Sequence, residues 1–158
     1  MTEELTIQPA RPEDVEPAVA LTIRAFPGVS IDHAIEEALG RAGESWQEIK
    51  GRQVRQEFQR WPEHAFVARL NGQFAGYVTN EVSAAMSRGR ILNLAVDERF
   101  RGRGIARRLL ERSLEHFRSL GLKQAKIETL ATNQVGRHLY PSLGFQEVSQ
   151  QVHFAMNL

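Results

Sequence analysis

Cysteine is missing from the chain, so disulfide scaffolds, cysteine-ligated zinc and thiol nucleophiles are excluded. An excess of charge of either sign is missing as well. Lys plus Arg number 20 against 19 for Asp plus Glu, a formal net charge of +1, which removes the global electrostatic case for a nucleic-acid or membrane-surface protein. Lysine itself is scarce: taking Lys50, Lys123 and Lys126 from the 20 cations leaves 17 arginines, a bias that fits anion recognition or coding composition equally. No stretch approaches the roughly 18 apolar residues of a membrane span, and the opening Met1-Thr2-Glu3-Glu4 leads into no apolar signal core. A cytoplasmic protein is the expectation. No His, Asp or Glu set has metal-ligand spacing, so no metal is expected. Repeats, low-complexity tracts and Pro/Gly/Ser linkers are also lacking. At 42% hydrophobic and 25% charged, 158 residues can bury roughly 70% of the unfolded chain's surface, and one domain over residues 1–158 is predicted.

The apolar spacing then sets the element order. Thr6 to Gln8 reads as a short strand, and Val15, Val19, Ile23 and Phe26 recur as one face of a helix with Asp14 at its N-cap. From Ile31 to Trp61, Gly40 and Gly43 divide a helical pattern into two short helices. The period then changes to two. Ala65 to Leu70 and Phe74 to Val82 flank Asn71-Gly72, a dipeptide that accepts positive φ and predicts a tight hairpin. Arg90 to Val96 is a strand, and Ile105, Leu109, Leu110, Leu114, Phe117 and Leu120 mark an amphipathic helix that Gly121 terminates. Ala125 to Leu130 is a further strand and Gln134 to Leu143 a short helix. Phe145 to Asn157 is expected to supply one or two closing strands. The class is mixed α+β with an internal βαβ unit.

Between that strand and that helix lies Asp97-Glu98-Arg99-Phe100-Arg101-Gly102-Arg103-Gly104-Ile105-Ala106. A turn with little side-chain bulk lets a phosphate approach the N–H groups of a helix's first turn, where the dipole is positive. Arg99, Arg101, Arg103, Arg107 and Arg108 lie here with no acid among positions 99 to 108, although helix dipole logic favours acids at a helix start. An anion filling that deficit is the functional reading; a solvated basic face is the plainer one. A dinucleotide fingerprint is rejected because Arg107 stands where a third small residue is needed. A nucleotide-hydrolase loop is rejected because no Gly-Lys-Ser/Thr follows the glycines.

Leu94-Ala95-Val96 followed by Arg101-Gly102-Arg103-Gly104-Ile105-Ala106 resembles the acetyl-CoA pyrophosphate motif of the GNAT superfamily of N-acetyltransferases, Gln/Arg-x-x-Gly-x-Gly/Ala. Asn133 and then Leu139-Tyr140-Pro141-Ser142-Leu143-Gly144-Phe145 is similar to that family's second signature. The likeness is sharpest from Ile91 to Phe145; residues 27 to 61 carry no signature. It implies a mixed sheet, flanked by helices, whose strands ending at Val96 and containing Glu128 splay apart to admit the pantetheine arm. Leu94, Ala95 and Val96 would pair with the pantetheine amides. Arg101, Gly102, Arg103, Gly104, Ile105, Ala106 and Arg107 would hold the pyrophosphate, with Asn133 a further cofactor contact.

Acetyl transfer from a thioester to an amine needs a deprotonated amine, a stabilised oxyanion and a protonated leaving sulfur. By the resemblance Tyr140 is the acid toward that sulfur and Glu128 the base, since a subset of the family carries a glutamate there. The plainer readings are a packed aromatic at a helix end and a strand glutamate balancing Lys126. Glu81, His138, His33 and a water relayed through Asn93 are alternative bases. Pro141 removes a backbone donor and biases Tyr140 away from helical geometry, so the helix is expected to end at the tyrosine. The leading expectation is an N-acetyltransferase using acetyl-CoA and the primary amine of a small molecule, amino acid, peptide or protein. Its alternative is a non-catalytic acyl-CoA-binding or regulatory module. No nucleic-acid or membrane partner is expected, and oligomeric state is left open, a homodimer included.

Overall fold

A computed structural model describes residues 2–158. The elements run β1 (Leu5–Pro9), α1 (Val15–Ala25), α2 (Ile31–Leu39), α3 (Trp46–Arg60), β2 (Phe66–Leu70), β3 (Gln73–Ser83), β4 (Arg88–Val96), α4 (Ile105–Ser119), β5 (Gln124–Ile127) and α5 (Gln134–Ser142). The strands form one sheet in sequential order, antiparallel from β1 to β4, with β5 parallel to β4. A parallel neighbour demands a crossover, which α4 supplies.

Local chemistry explains the boundaries. Asn71 and Gly72 adopt φ of 50° and 81°, the paired positive values of the hairpin turn their side chains favour. Ser45 and Glu48 close a capping box at the start of α3, satisfying two donors the helix leaves free. Asp14, ahead of α1, is buried and accepts hydrogen bonds from the Arg11 N–H and the Arg69 guanidinium.

Two apolar clusters sandwich the sheet. On one face Ile105, Leu109, Leu110 and Phe117 of α4 pack on Phe66, Ala68, Val78 and Ile91. On the other, Ala18, Val19 and Leu21 of α1 and Val54 and Phe58 of α3 pack on Val67, Tyr77 and Ala95. Each such large side chain contributes about 1.5–3 kcal/mol on burial. Both faces of β2 and β3 are thus covered, which is why their alternation is muted toward continuous burial.

Three departures from the sequence reading bear on the site. β5 ends at Ile127 rather than Leu130: its pairing with β4 stops at Ile91↔Ile127, and the chain beyond leaves the sheet while β4 runs on to Val96. The helix α5 runs through Pro141 to Ser142. Proline at the last turn sacrifices only a bond to the carbonyl of exposed Arg137, and Gly144, at φ 100°, then closes the end with the Phe145 N–H on the Tyr140 carbonyl. Finally, the closing strands expected from Phe145 to Asn157 do not form: among the described residues, 145–158 carry no strand and join no sheet. Strand pairing is a property of two segments, and within one chain this one lacks its second.

Candidate active site

β4 and β5 pair through only four registers, Arg88↔Gln124 to Ile91↔Ile127. β4 then continues to Val96 while the chain beyond Ile127 leaves the sheet toward α5. Among the described residues, the β5-facing backbone edge from Asn93 to Val96 therefore has no strand alongside. Unpaired strand groups of this kind can take up the amides of an extended ligand as another strand would. Leu94 and Val96 pack toward the α4 side and Ala95 toward α1 and α3.

The rim of this gap is the start of α4. Its N-cap is Gly104, in the left-handed conformation, with no side-chain capping bond and no acid in the first turn. Gly102 and Gly104 have φ of 76° and 73°, and a Cβ built on either would meet nothing within 4 Å. Open space, uncapped N–H groups and a positive dipole end fit a pyrophosphate. The arginines divide. Arg99 donates to Asp97 at 3.0 and 2.8 Å, Arg103 pairs with Glu3, and Arg107 donates to Ser142 Oγ at 2.7 Å. Arg101 and Arg108 have no side-chain partner among the described residues. The acids absent from positions 99 to 108 are thus partly supplied from elsewhere in the fold.

The Arg107–Ser142 bond ties α4 to α5 across this rim, and Ser142 Oγ passes it on to the Leu139 carbonyl at 2.5 Å. Asn133 caps α5, accepting from the Gly136 N–H at 3.2 Å and donating to Thr129 Oγ1 at 2.8 Å. Tyr140 lies half-buried over Gly136, its ring edge-on to Phe145 at 6.3 Å. Burial pushes its phenol above the ordinary value, so the hydroxyl stays protonated at neutral pH. Glu128 stands just past β5, held by Arg90 and by Lys126 at 3.1 Å. Partial burial pushes its pKa up, but the bonds and charges of Arg90 and Lys126 outweigh that and hold it below the usual carboxylate value.

A second carboxylate escapes a sequence reading that follows apolar positions. Glu57 of α3 receives Thr79 Oγ1 at 2.6 Å and Asn93 Nδ2 at 2.7 and 2.8 Å. Burial raises its pKa, against those bonds and the charges of Lys50 and Arg90. The available signal was its place three residues after Val54, on the stripe that also carries Phe58. A bulge adds Leu92 to β4: Thr79 opposes Asn93 whereas Asn80 opposes Ile91. Arg90 and Asn93, three apart, consequently share the α3 side of the sheet, Arg90 joining Glu81 at 2.9 Å and Asn93 joining Glu57. His33 lies apart, stacked edge-on to Trp46 at 5.1 Å, and His138 is exposed on α5.

A splayed parallel pair beside a glycine-led helix start defines the class, and the sequence comparisons agree: residues 31–145 match the acetyltransferase (GNAT) family. The chain belongs to that family. N-alpha-acetyltransferase 30 of Schizosaccharomyces pombe is 33% identical over 100 residues, 61% of this chain and 67% of that protein. Mycothiol acetyltransferase of Propionibacterium freudenreichii is 28% identical over 160 residues, 98% of this chain but 47% of that protein. The chain thus spans about half to two thirds of the length of these curated relatives. Among solved structures, PaiA N-acetyltransferase of Thermoplasma acidophilum in complex with coenzyme A superposes with a TM-score of 0.75 at 16% identity, over 94% of this chain and 93% of that one. The ribosomal-protein-S18-alanine N-acetyltransferase of Escherichia coli gives 0.64 at 21% identity, over 92% and 80%. These likenesses establish a shared fold. Among the described residues no helix is long and apolar enough to cross a membrane, and no group of three or more His, Asp or Glu could hold a metal.

Proposed function

We propose that the protein is an N-acetyltransferase that moves an acetyl group from acetyl-CoA to a primary amine, with the α-amine of a peptide or protein as the first acceptor class to test. The parting of β4 from β5 after Ile91↔Ile127, beside the uncapped start of α4, carries this reading. Acetyl-CoA supplies an activated acyl carbon. The backbone of Leu94 to Val96 would hold its amide arm, and the N–H groups of Ile105, Ala106 and Arg107, with Gly102, Arg101 and Arg103 around them, its pyrophosphate. Asn133 keeps one donor hydrogen beyond its bond to Thr129 for the same ligand. The acceptor class rests on relatives such as the S. pombe N-alpha-acetyltransferase and the E. coli ribosomal-protein bS18-alanine N-acetyltransferase, 30% identical over 84 residues.

In the reaction a bond forms between the amine nitrogen and the acetyl carbon, and the carbon–sulfur bond breaks. Glu128, kept ionised by Arg90 and Lys126, accepts the proton the amine sheds, directly or through water. Tyr140, kept protonated by burial, donates to the departing sulfur. Its low affinity for protons makes Glu128 a modest base, so the amine's own neutral fraction contributes to the pH dependence.

Saturating acetyl-CoA tests the reading by linkage: at one hundred times its dissociation constant it stabilises the fold by about 2.7 kcal/mol. Gly104→Val is expected to remove most of the melting shift and Arg108→Ala little of it, because backbone approach rather than an exposed charge carries the binding. Coenzyme A release is then followed over a panel of amines and peptides. A melting curve indifferent to acetyl-CoA refutes the proposal, and a shift without release by any amine favours a binding module.

A further inference from the structure

A closed ring of hydrogen bonds on the α3 side of the sheet leaves one acceptor atom unused. The Asn93 N–H donates to Thr79 Oγ1 at 3.2 Å, and that hydroxyl donates to Glu57 Oε2 at 2.6 Å. Asn93 Nδ2 closes the ring on Glu57, 2.8 Å from Oε2 and 2.7 Å from Oε1. A carboxylate only accepts, so it decides which way the Asn93 amide lies: Nδ2 faces Glu57 and Oδ1 is turned from it, because the flipped amide would set oxygen against oxygen. Oδ1 accepts from no donor among the described residues. Nor is it sealed in: the partnerless side-chain atoms shut off from solvent are Asn80 Oδ1 and Arg90 Nε.

The gap between β4 and β5 sets what that atom can meet. The start of α4, where the pyrophosphate would sit, follows Val96, and the gap closes at Ile91↔Ile127. A ligand arm that enters at the rim and lies along Val96, Ala95 and Leu94 therefore brings its far, acyl end beside Asn93 on one strand and Glu128, just past the other. Arg90 joins the two sides, bonded to Glu128 and sharing the α3 side with Asn93. One strand thus offers a carboxylate to take a proton and its neighbour an amide oxygen to take a hydrogen bond. Packing alone does not ask for this arrangement, since holding half-buried Glu57 among neutral donors costs stability that an apolar side chain would not.

Resting on the N-acetyltransferase reading above, we infer that Asn93 Oδ1 receives an N–H of the acceptor amine and that Glu57 is the positioning residue that keeps this oxygen turned toward it. A neutral primary amine brings two N–H groups and a lone pair. One N–H bonds to Asn93 Oδ1 and aims the lone pair at the acetyl carbon; as the nitrogen–carbon bond forms and the nitrogen becomes positive, that hydrogen bond strengthens. The other proton passes to Glu128, the carbon–sulfur bond breaks as Tyr140 protonates the sulfur, and the amide product keeps its single N–H on Asn93. A secondary amine has one N–H for both tasks. Shedding it to Glu128 empties the bond to Asn93, so the site selects primary amines by their hydrogen count.

Coenzyme A release is measured with a primary amine that the wild type accepts and with its N-methyl counterpart, and the wild type is expected to favour the primary amine at least about tenfold in kcat/KM. Asn93→Ala is expected to lower kcat/KM for the primary amine about 10- to 100-fold and to erase most of that preference, with the KM and the melting shift for acetyl-CoA unchanged. Glu57→Gln, which no longer dictates the orientation of the Asn93 amide, is expected to lose about tenfold. Exchanging the two groups, Glu57→Gln with Asn93→Asp, again sets a donor against an acceptor and turns an oxygen toward the gap; it is expected to recover most of that loss. Variants that melt lower but, while folded, keep wild-type kcat/KM and preference show a role in folding alone and overturn the inference. So does a folded exchanged pair that recovers nothing, or a wild type that takes both amines equally. A wild type that releases no coenzyme A with any amine refutes the enzyme reading itself, and this inference with it.

Discussion

Gly136 separates two effects of opposite sign. It sits in the first turn of α5, where replacing glycine by alanine ordinarily stabilises a helix by about 1 kcal/mol. Here, however, the added Cβ would stand 2.8 Å from Asn133 Nδ2 and 2.9 and 3.1 Å from Tyr140 Cε2 and Cζ. Neither neighbour yields cheaply. Asn133 is pinned by Thr129 and by the capping bond to Gly136 itself, and the Tyr140 ring packs against the α4-side core. Overpacking costs about 1–3 kcal/mol and a disturbed cap about 1 kcal/mol more. Against the propensity gain, Gly136→Ala should lose about 1–3 kcal/mol, which at this chain length lowers the melting temperature by several degrees. A ring displaced by about 1 Å can cost 10²-fold in turnover, so kcat is expected to fall by about that factor with the acetyl-CoA KM changed much less. Calorimetry with steady-state kinetics measures both. A variant that melts higher than wild type with unchanged kcat refutes both the packing argument and the role assigned to Tyr140.

Tyr140→Phe should lower kcat while preserving acetyl-CoA affinity, since the ring's packing survives and only the proton donor goes; wild-type turnover would hand the sulfur's proton to another group. Glu128→Gln should lower kcat/KM by about 10²–10⁴ at neutral pH and recover in part as pH rises and more acceptor is neutral, and a pH profile parallel to wild type would remove it as the base. His116 gives a stability prediction: burial, then the neighbouring His64 and Arg112, push its pKa down against a weaker pull from Glu63, and His64 Nδ1 lies 2.8 Å from its Nε2. A lowered folded pKa means that its contribution is present above the unfolded value of about 6.5 and is lost as pH falls through the folded one. Urea midpoints should therefore fall between about pH 7 and 5, less so in His116→Gln, and identical slopes for the two proteins would contradict this.

What the sequence made legible follows from the range of each interaction. The hairpin at Asn71-Gly72, the split between α2 and α3 and the helix between Gly104 and Gly121 are written in spacings of a few residues, and all appear in the structure. The open turn at Gly102 and Gly104 was legible for the same reason. The shortness of β5 was not, because a strand's end is set by where its pairing stops, here opposite Ile91, 36 residues earlier in the chain. The closing strands expected from Phe145 to Asn157 failed in the same way, because what a strand pairs with lies far away in the chain and is not written in local spacing. Pro141 misled because the rule against proline in helices weakens at the last turn, where one exposed carbonyl is all that is lost. Glu57 was hidden by its company, a carboxylate on a stripe read for its apolar members, and only the facing Thr79 and Asn93 distinguish it.

The extra residue in β4 also bears on how relatives are aligned. In a regular strand, side chains three apart point to opposite faces; Leu92 cancels that alternation, so Arg90 and Asn93 keep company with α3 while Ile91 stays on the α4 side. Parity, rather than residue identity alone, thus decides which chemistry faces α3. A relative one residue shorter at this point could retain an arginine and an asparagine and still send one of them into the opposite core. A gap placed at position 92 in an alignment therefore marks a changed α3-facing surface of the sheet, and moving that gap by a few columns to improve a score would erase a physical difference.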